Sequence, residues 1–324
     1  MLIGGGVSES AAGAAAFSCH LPRESLPALQ VRLRMIPSRM QQTIAARAVV
    51  AGFGYWSGRD VRIEFRPAAA GAGITFVRSD LGASARIPAR VDLRVEVPRR
   101  TNLRQGKIEV EMVEHVLAAL SGLGIDNCEV WTNHPEMPGC DGSSAAFVDA
   151  LVRAGVVSQG IEAKRVAITE TIRVTEGESW IEARPSAKNQ FSIEYQLHYP
   201  AAPVIGRQVA RVVVTPERFR SELAPCRTFL LQTEADQLRR QGLGVRVTNR
   251  DLLVFDERGP IDNRLRFPNE CARHKALDVL GDLALAGCRF IGEFTAYRSG
   301  HRLHAELTRQ LVDRFVTTAW RASA

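Results

Sequence analysis

The chain has no hydrophobic run long enough to cross a bilayer. Its longer apolar stretches, such as residues 279–288, are interrupted by charge. They are also much shorter than the roughly 20 apolar residues that a membrane-spanning helix needs. We therefore expect no integral membrane segment.

Paired cysteine motifs are also absent. The six cysteines are scattered, and no two form a CxxC pair or a disulfide-like framework; they are Cys19, Cys128, Cys140, Cys226, Cys271 and Cys288. Disulfide-rich scaffolds belong to oxidising compartments, whereas scattered cysteines are typical of a reducing one. This usage predicts a cytoplasmic location.

The first 39 residues lack the parts of a secretory signal peptide. They are rich in small residues, have no hydrophobic period, and show no basic region ahead of an apolar stretch. We predict that residues 1–39 are a disordered extension or follow from a misassigned start, and that the fold begins at residue 40.

Positive charge is in modest excess, without the aromatic residues that accompany many nucleic-acid surfaces. The chain of 324 residues has 42 Lys and Arg against 35 Asp and Glu, a net charge of +7. Its most basic stretch, residues 88–107, alternates Arg with Val and Leu, which is typical of a strand with one solvated face. We therefore predict no nucleic-acid partner and ascribe part of the charge to an anionic metabolite.

After residue 40 the hydrophobic pattern alternates between strand and helix. Strands are predicted at DVRIEF, GITFV, LRVEV and CEVWT in the first half, and at FSIEYQLHY, RVVVTP, DLLVFDE and RFIGEFTAY in the second, where VAITETIRV and SWIEARP form a hairpin. The main helices are predicted over residues 110–123, 143–154, 269–286 and 303–315. The second half thus repeats the theme of the first, as in α+β proteins, with domains at 40–162 and 163–324. GLGIDN and RGPIDN echo each other but are too short to prove a duplication.

Ionisable residues at helical spacing indicate a metal site. His274, Asp278 and Asp282 recur every four residues, so a helix places them on one face. A catalytic zinc takes three ligands of nitrogen, sulfur or oxygen and keeps one position for water. His274, Asp278 and His115 from another helix are the candidate ligands. Glu114 would flank the metal as general base, and Asp282 would orient an imidazole.

That imidazole has a candidate in His301. It follows Ser299 and Gly300, so we expect it on a tight loop after a strand, where it could protonate a leaving group.

A plainer alternative stands beside these assignments. A histidine on a helix is usually a surface or satisfied core residue, and His–Asp pairs at this spacing also serve ordinary electrostatics. The flanking text, VEHVLAALSGLGI and ALDVLGDLALAG, is very apolar. Buried charges need partners, so these groups are expected to meet each other or a cation.

Five strings carry a resemblance to a known family. They are EHVLAALSGLGIDN, PEMPGCDGSSAAFVDALVRAG, CRTF, LRFPNECARHKALDVLGDLALAG and AYRSGH. In the same order and at compatible spacing, residues 42–312 resemble UDP-3-O-acyl-N-acetylglucosamine deacetylases, the zinc amidases that commit a sugar nucleotide to lipid A, and hence lipopolysaccharide, synthesis. The resemblance implies two similar two-layer α+β domains packed helix layer to helix layer, with the active site between them.

The resemblance also implies the roles of individual residues and the substrate, an acylated UDP-sugar that loses its acetyl group as acetate. It implies His115, His274 and Asp278 as zinc ligands, Glu114 as general base, His301 as general acid, Asp282 as its orienting partner, Thr228 as donor to the scissile carbonyl, Lys275 as a contact to the diphosphate, and Phe229 in the acyl passage. Such ligands also accept Fe²⁺. We expect a monomer.

Some positions depart from the family pattern. Trp56 stands where many members carry histidine, residues 246–248 replace a glycine-rich stretch, and Glu170 lies near the place of an additional phosphate-contacting lysine. These changes bear on acyl length and fine specificity and leave the metal cluster intact.

Two other functions compete with deacetylation of the UDP-sugar. One is a related metal amidohydrolase for another N-acyl amino sugar, and the other is a catalytically silent binding paralogue. The presence of both Glu114 and His301 argues against the silent protein, because a structural zinc needs neither.

Overall fold

Strands outnumber helices in the part of the chain that the computed structural model describes, residues 39–200 and 202–316. The strands are β1 (Met40–Ile44), β2 (Ala48–Phe53), β3 (Asp60–Pro67), β4 (Ile74–Arg78), β5 (Arg86–Pro88), β6 (Arg94–Val95), β7 (Asn102–Gln105), β8 (Ile108–Val110), β9 (Cys128–Thr132), β10 (Val156–Glu162), β11 (Arg165–Ala167), β12 (Ile172–Glu176), β13 (Ser179–Arg184), β14 (Phe191–Tyr199), β15 (Gly206–Val213), β16 (Phe229–Leu231), β17 (Leu253–Phe255) and β18 (Arg289–Tyr297). The α-helices are α1 (Glu114–Leu123), α2 (Ala145–Ala154), α3 (Pro216–Arg218), α4 (Gln232–Arg240), α5 (Glu270–Leu283) and α6 (His301–Leu311). Within these ranges no helix is long and apolar enough to span a bilayer.

The two largest sheets share one topology. The first has the strand order β2-β3-β9-β4-β5, and the second has the order β12-β13-β18-β14-β15 with β11 beside β18. In the first sheet, the central strand β9 pairs antiparallel with β3 and parallel with β4. In the second, the central strand β18 pairs antiparallel with β13 and parallel with β14. One helix precedes and one follows each central strand, α1 and α2 around β9, α5 and α6 around β18. The predicted pair of similar α+β halves is therefore confirmed.

The repeated topology does not coincide with the sequence echo. GLGIDN covers the last two residues of α1 and the loop before β9, whereas RGPIDN lies between β17 and α5. These are different places in the two halves, so the echo is no trace of a duplication.

The helices form the contact between the two halves. α2 packs on β2, α5 on β14 and β15, and α6 on β12 and β13, while α1 packs against α5. Every residue of α1 except Ser121 is buried. A helix that is apolar all round needs such a position inside the protein. The predicted layer arrangement is thus confirmed.

Smaller elements complete the chain. β6, β7 and β8 form a three-stranded sheet, and β16, α4 and β17 form a parallel strand–helix–strand unit. β10 pairs with β1 and ends at Glu162, whereas β11 pairs with β18. This change of partner supports the division proposed between residues 162 and 163.

Several predicted boundaries are wrong. Residues 110–123 are not one helix, because β8 ends at Val110 and Met112 takes a positive φ of 58° before α1 begins. The predicted strand LRVEV is only Arg94–Val95, preceded by a 3-10 turn. VAITETIRV is split into β11 and β12, and the last helix begins at His301 rather than residue 303. The predicted extension lies outside the described residues except for Arg39, which donates to the Gly124 carbonyl at 2.9 Å.

Gly281 lets α1 and α5 cross closely. A Cβ atom built on Gly281 would lie 2.1 Å from the carbonyl oxygen of Glu114. Real side chains do not tolerate that distance, so only glycine fits at this crossing.

We expect Gly281→Ala to destabilise the protein by about 1–3 kcal/mol or more, because the helices must separate to admit the methyl group. Chemical unfolding would measure the loss. Gly300→Ala is the matched control, since a Cβ atom there meets nothing within 4 Å. Equal unfolding midpoints for the two variants would contradict the close crossing.

Candidate active site

Three potential metal ligands meet where α1 crosses α5. His115 is the second residue of α1, and His274 and Asp278 lie one turn apart on α5. The Nε2 atoms of His115 and His274 lie 3.6 and 3.4 Å from Asp278 Oδ1. One ligand atom from each residue lies within 4.8 Å of the others, and all three residues are buried. The structure thus brings together the ligands predicted from separate halves.

The surroundings of these residues fit a bound cation. Asp278 Oδ1 is buried without a hydrogen-bond partner among the described residues, a costly state that a metal ion would relieve. His274 Nδ1 lies 3.1 Å from the carbonyl oxygen of Cys226, so Nδ1 carries the proton and Nε2 offers its lone pair. Burial lowers the pKa of His274 to about 4, which keeps it neutral as a ligand must be.

Lys275 takes the other oxygen of Asp278. Its Nζ donates to Asp278 Oδ2 at 2.6 Å. Burial opposes ionisation of Asp278, yet Lys275 and His274 hold the pKa of this carboxyl well below its usual range. Lys275 also lines the cavity described below, but in this structure its ammonium group is paired with the carboxylate rather than free.

Glu114 lies beside the ligand cluster as the first residue of α1. Its Oε2 accepts a hydrogen bond of 2.9 Å from the backbone N–H of Thr101, and the residue is only 3% exposed. Burial raises the pKa of Glu114. A carboxylate with a raised pKa binds a proton more readily, which suits a general base.

His301 faces the same space from the start of α6. Its Nδ1 lies 2.7 Å from Asp282 Oδ2, the partner predicted for it. Burial by itself lowers the pKa of His301, but the Asp282 carboxylate overcomes this effect and the pKa is raised to about 9. The imidazole is therefore protonated near neutrality.

Two hydrogen-bond partners of Asp282 were not predicted from the sequence. His304 Nδ1 also lies 2.7 Å from Asp282 Oδ2, and Thr101 Oγ1 donates to Asp282 Oδ1 at 2.6 Å. His304 follows His301 by three residues, a spacing that a helix brings to one face. The predicted helix began only at residue 303, so this signal was missed; Thr101 carried no local signal.

The CRTF loop closes the site from another side. Arg227 Nε lies 2.9 Å from Glu270 Oε1 in a buried ion pair that ties the loop to the start of α5. Thr228 and Phe229 follow and line the cavity. The Phe229 ring lies edge-on to His274, with ring centroids 6.4 Å apart.

One cavity of about 770 Å³ is lined by every predicted site residue except Asp282. One part of its wall is apolar and comes from the β16–α4–β17 unit and the loop before β17; it includes Leu230, Leu238, Leu243, Val247, Leu252 and Val254. Trp56, which differs from the family pattern, also lines the cavity. Glu170, which differs as well, pairs with Arg314 and is not a lining residue. The cavity thus joins the metal-binding cluster to an apolar region.

Arg246, which also differs from the family pattern, connects the loop before β17 to the turn between β2 and β3. Its guanidinium lies 2.7 Å from both the Gly58 carbonyl and Asp60 Oδ1. Trp56 and Val247 line the cavity, whereas Arg246 and Thr248 do not.

Three buried candidate ligands, with a carboxylate and an imidazole beside them outside that set, are the arrangement of a metal-dependent hydrolase. Comparison with known proteins is more specific. The chain belongs to the UDP-3-O-acyl N-acetylglycosamine deacetylase family, whose model matches residues 41–313.

Similar proteins carry a matching name. Proteins named UDP-3-O-acyl-N-acetylglucosamine deacetylase from Brucella ovis, Brucella canis and Brucella suis are each 39% identical to this chain over 274 residues. The matches cover 84% of this chain and 95% of each relative. The family match, over residues 41–313, spans both halves and the positions of all predicted site residues.

Proposed function

We propose that the chain hydrolyses the 2-acetamido group of UDP-3-O-acyl-N-acetylglucosamine, releasing acetate, as the committed step of lipid A biosynthesis. The observation that carries this proposal is the buried cluster of His115, His274 and Asp278, with Asp278 Oδ1 unpaired, at the wall of a cavity that also has an apolar region. Family membership supports the substrate.

His115, His274 and Asp278 would hold the metal, which we propose to be zinc, with Fe²⁺ as the alternative that the same donors accept. When bound, zinc would supply polarisation of the amide carbonyl and activation of water at neutral pH. The hydrogen bonds to Cys226 and Lys275 would keep the ligands oriented.

Glu114 would accept the proton of the attacking water. Its carboxylate is held by the Thr101 N–H through one oxygen, Oε2, and this leaves Oε1 available for proton transfer. As the water oxygen bonds to the carbonyl carbon, Glu114 becomes protonated. This is the role of a general base.

His301 would protonate the departing amine. Breaking the C–N bond leaves negative charge on nitrogen unless a proton arrives, and His301 carries one near neutrality because of Asp282. Thr228 lies at the same cavity, where its hydroxyl would donate to the oxygen that gains charge during attack.

The cavity would hold the remainder of the substrate. Its apolar wall from the β16–α4–β17 unit, together with Phe229, would take the acyl chain, since burying methylene groups is favourable by about 0.8 kcal/mol each. Lys275 would contact the diphosphate only after its pairing with Asp278 is loosened or shared. The cytoplasmic location and the monomeric state stay predictions.

Acetate release from two substrates tests this function. The zinc-loaded protein should release acetate from the 3-O-acylated UDP-sugar and much less from the non-acylated one, because only the former fills the apolar region. Equal release from both would favour a related amidohydrolase for another N-acyl amino sugar. Absence of release from either, with metal bound, would favour a silent paralogue.

The alkaline limb of the pH profile should report His301. The acid acts only when protonated, so kcat/KM is expected to fall as the pH rises through about 9, the pKa of His301. The raised pKa also means that His301 stabilises the fold fully below its ordinary value of 6.5 and that this stabilisation is lost as the pH rises through about 9.

The variant for comparison is His301→Gln, which should lower activity and remove this limb. A limb that persists unchanged in His301→Gln would show that another group is titrating.

A further inference from the structure

Asp282 is held by three donors at the junction of the two halves. Its Oδ2 lies 2.7 Å from the Nδ1 atoms of both His301 and His304, and its Oδ1 accepts from Thr101 Oγ1 at 2.6 Å. Asp282 is 1% exposed, so its carboxylate is shielded from bulk solvent. Only His301 among these donors belongs to the predicted machinery.

The hydrogen bonds determine the tautomer of His304. Its Nδ1 faces a carboxylate that is held ionised, because the histidines lower the Asp282 pKa despite burial, so Nδ1 carries a proton. Its Nε2 lies 2.8 Å from Ser299 Oγ, and burial lowers the pKa of His304. His304 is therefore neutral, with Nε2 accepting from the Ser299 hydroxyl and Nδ1–H donating to Asp282.

Thr101 connects both sides of the site. Its hydroxyl donates to Asp282, which holds the candidate acid, while its backbone N–H donates to Glu114, the candidate base, at 2.9 Å. Thr101 is fully buried, so both hydrogen bonds lie inside the protein. Thr101 thus contacts both Glu114, the candidate base, and Asp282, which orients the candidate acid His301.

We propose that His304 and Thr101 are positioning residues of the reaction, which hold the Asp282 carboxylate from two sides and thereby fix the His301 imidazole opposite Glu114. This inference rests on the proposed function. Its physical basis is that a carboxylate with one partner can rotate, whereas one with three donors in fixed directions cannot, and the imidazole it orients follows it.

Two pairs of variants test the proposal in the zinc-loaded, full-length protein. Thr101→Val keeps the shape and the backbone N–H but loses the hydroxyl, and Thr101→Ser retains it. His304→Leu loses the N–H donor, and His304→Asn retains one. We expect Thr101→Val and His304→Leu each to lower kcat about tenfold with unchanged KM and metal content, and the conservative partners to recover most of it.

The pH profile separates positioning from general damage. His301 is faced by Glu114 from α1, by Asp278 and Asp282 from α5, and by His304 from its own helix. Without the His304 N–H, the Asp282 carboxylate is free to rotate and its hydrogen bond to His301 weakens, so the pKa of His301 should fall. The alkaline limb of kcat/KM should therefore move to lower pH in His304→Leu and not in His304→Asn. A merely structural role would lower activity without moving this limb.

Imidazole ¹⁵N spectra provide a readout that does not depend on turnover. In the native protein the Nδ1–H protons of His301 and His304 should both appear as slowly exchanging, hydrogen-bonded signals, and His304→Leu should broaden the signal of His301. Native-like kcat and an unmoved limb in both Thr101→Val and His304→Leu would overturn the positioning role. Failure of the native enzyme to release acetate would instead refute the proposed function, whatever the spectra show.

Discussion

Glu114→Ala is expected to keep its metal and lose most of its turnover, by about 10²–10⁴-fold in kcat. Glu114 lies next to the proposed ligand His115 in sequence but belongs to no candidate ligand group of the described residues. Its oxygen Oε2 is held by the Thr101 N–H, and burial raises its pKa. Removing the carboxylate takes away the proton acceptor and leaves His115, His274 and Asp278 in place.

Glu114→Gln tests the role of the base more specifically than Glu114→Ala. The amide oxygen can still accept from Thr101, so packing is preserved, but the amide cannot take a proton at neutral pH. Acetate release and metal content measured on the same samples would test both variants. Turnover at the native rate in either variant, with metal bound, would show that Glu114 is not the base.

His274→Ala is expected to lose the metal and, with it, essentially all activity. His274 is neutral, since burial lowers its pKa to about 4, and its Nδ1 is fixed by the Cys226 carbonyl so that Nε2 points to Asp278. Alanine removes one of three protein ligands, and two ligands bind a divalent ion far more weakly than three.

Elemental analysis after dialysis would measure this loss. His134→Ala serves as the control, since it also removes a partly buried imidazole but lies outside the cavity lining. Near-stoichiometric metal in His274→Ala would mean that the ion binds elsewhere. Added zinc should also raise the unfolding midpoint of the native protein and not of His274→Ala, because a ligand stabilises only the state that binds it.

Local patterns accounted for much of the fold. Val61, Ile63 and Phe65 alternate along β3 and are buried, and Phe191, Ile193, Tyr195 and Leu197 do the same along β14. Period-two alternation is a local property, so the sequence displays it directly. The boundary errors arose where the local pattern is ambiguous, as at Met112, whose positive φ separates a strand from a helix within the stretch predicted as one helix.

The candidate site also combines features that are local in sequence with features that are not. The spacing of His274, Asp278 and Asp282 on one helix predicted which residues share a face, because helix geometry is local. The pairing of Lys275 with Asp278, three residues apart on the same helix, is local in the same sense. The contact of Thr101 with Asp282 is not, because the two residues lie 181 positions apart in the chain.

The sequence by itself determined the type of the main strands and helices, the helical face bearing the acidic and imidazole groups, and the family. Only the tertiary structure decided that α1 and α5 cross at Gly281 closely enough for His115 to meet His274 and Asp278. It also decided that Asp282 serves two histidines and a threonine at once. The reason is physical: periodicity records which side of an element is buried, whereas distances across a helix crossing depend on packing between segments far apart in the chain.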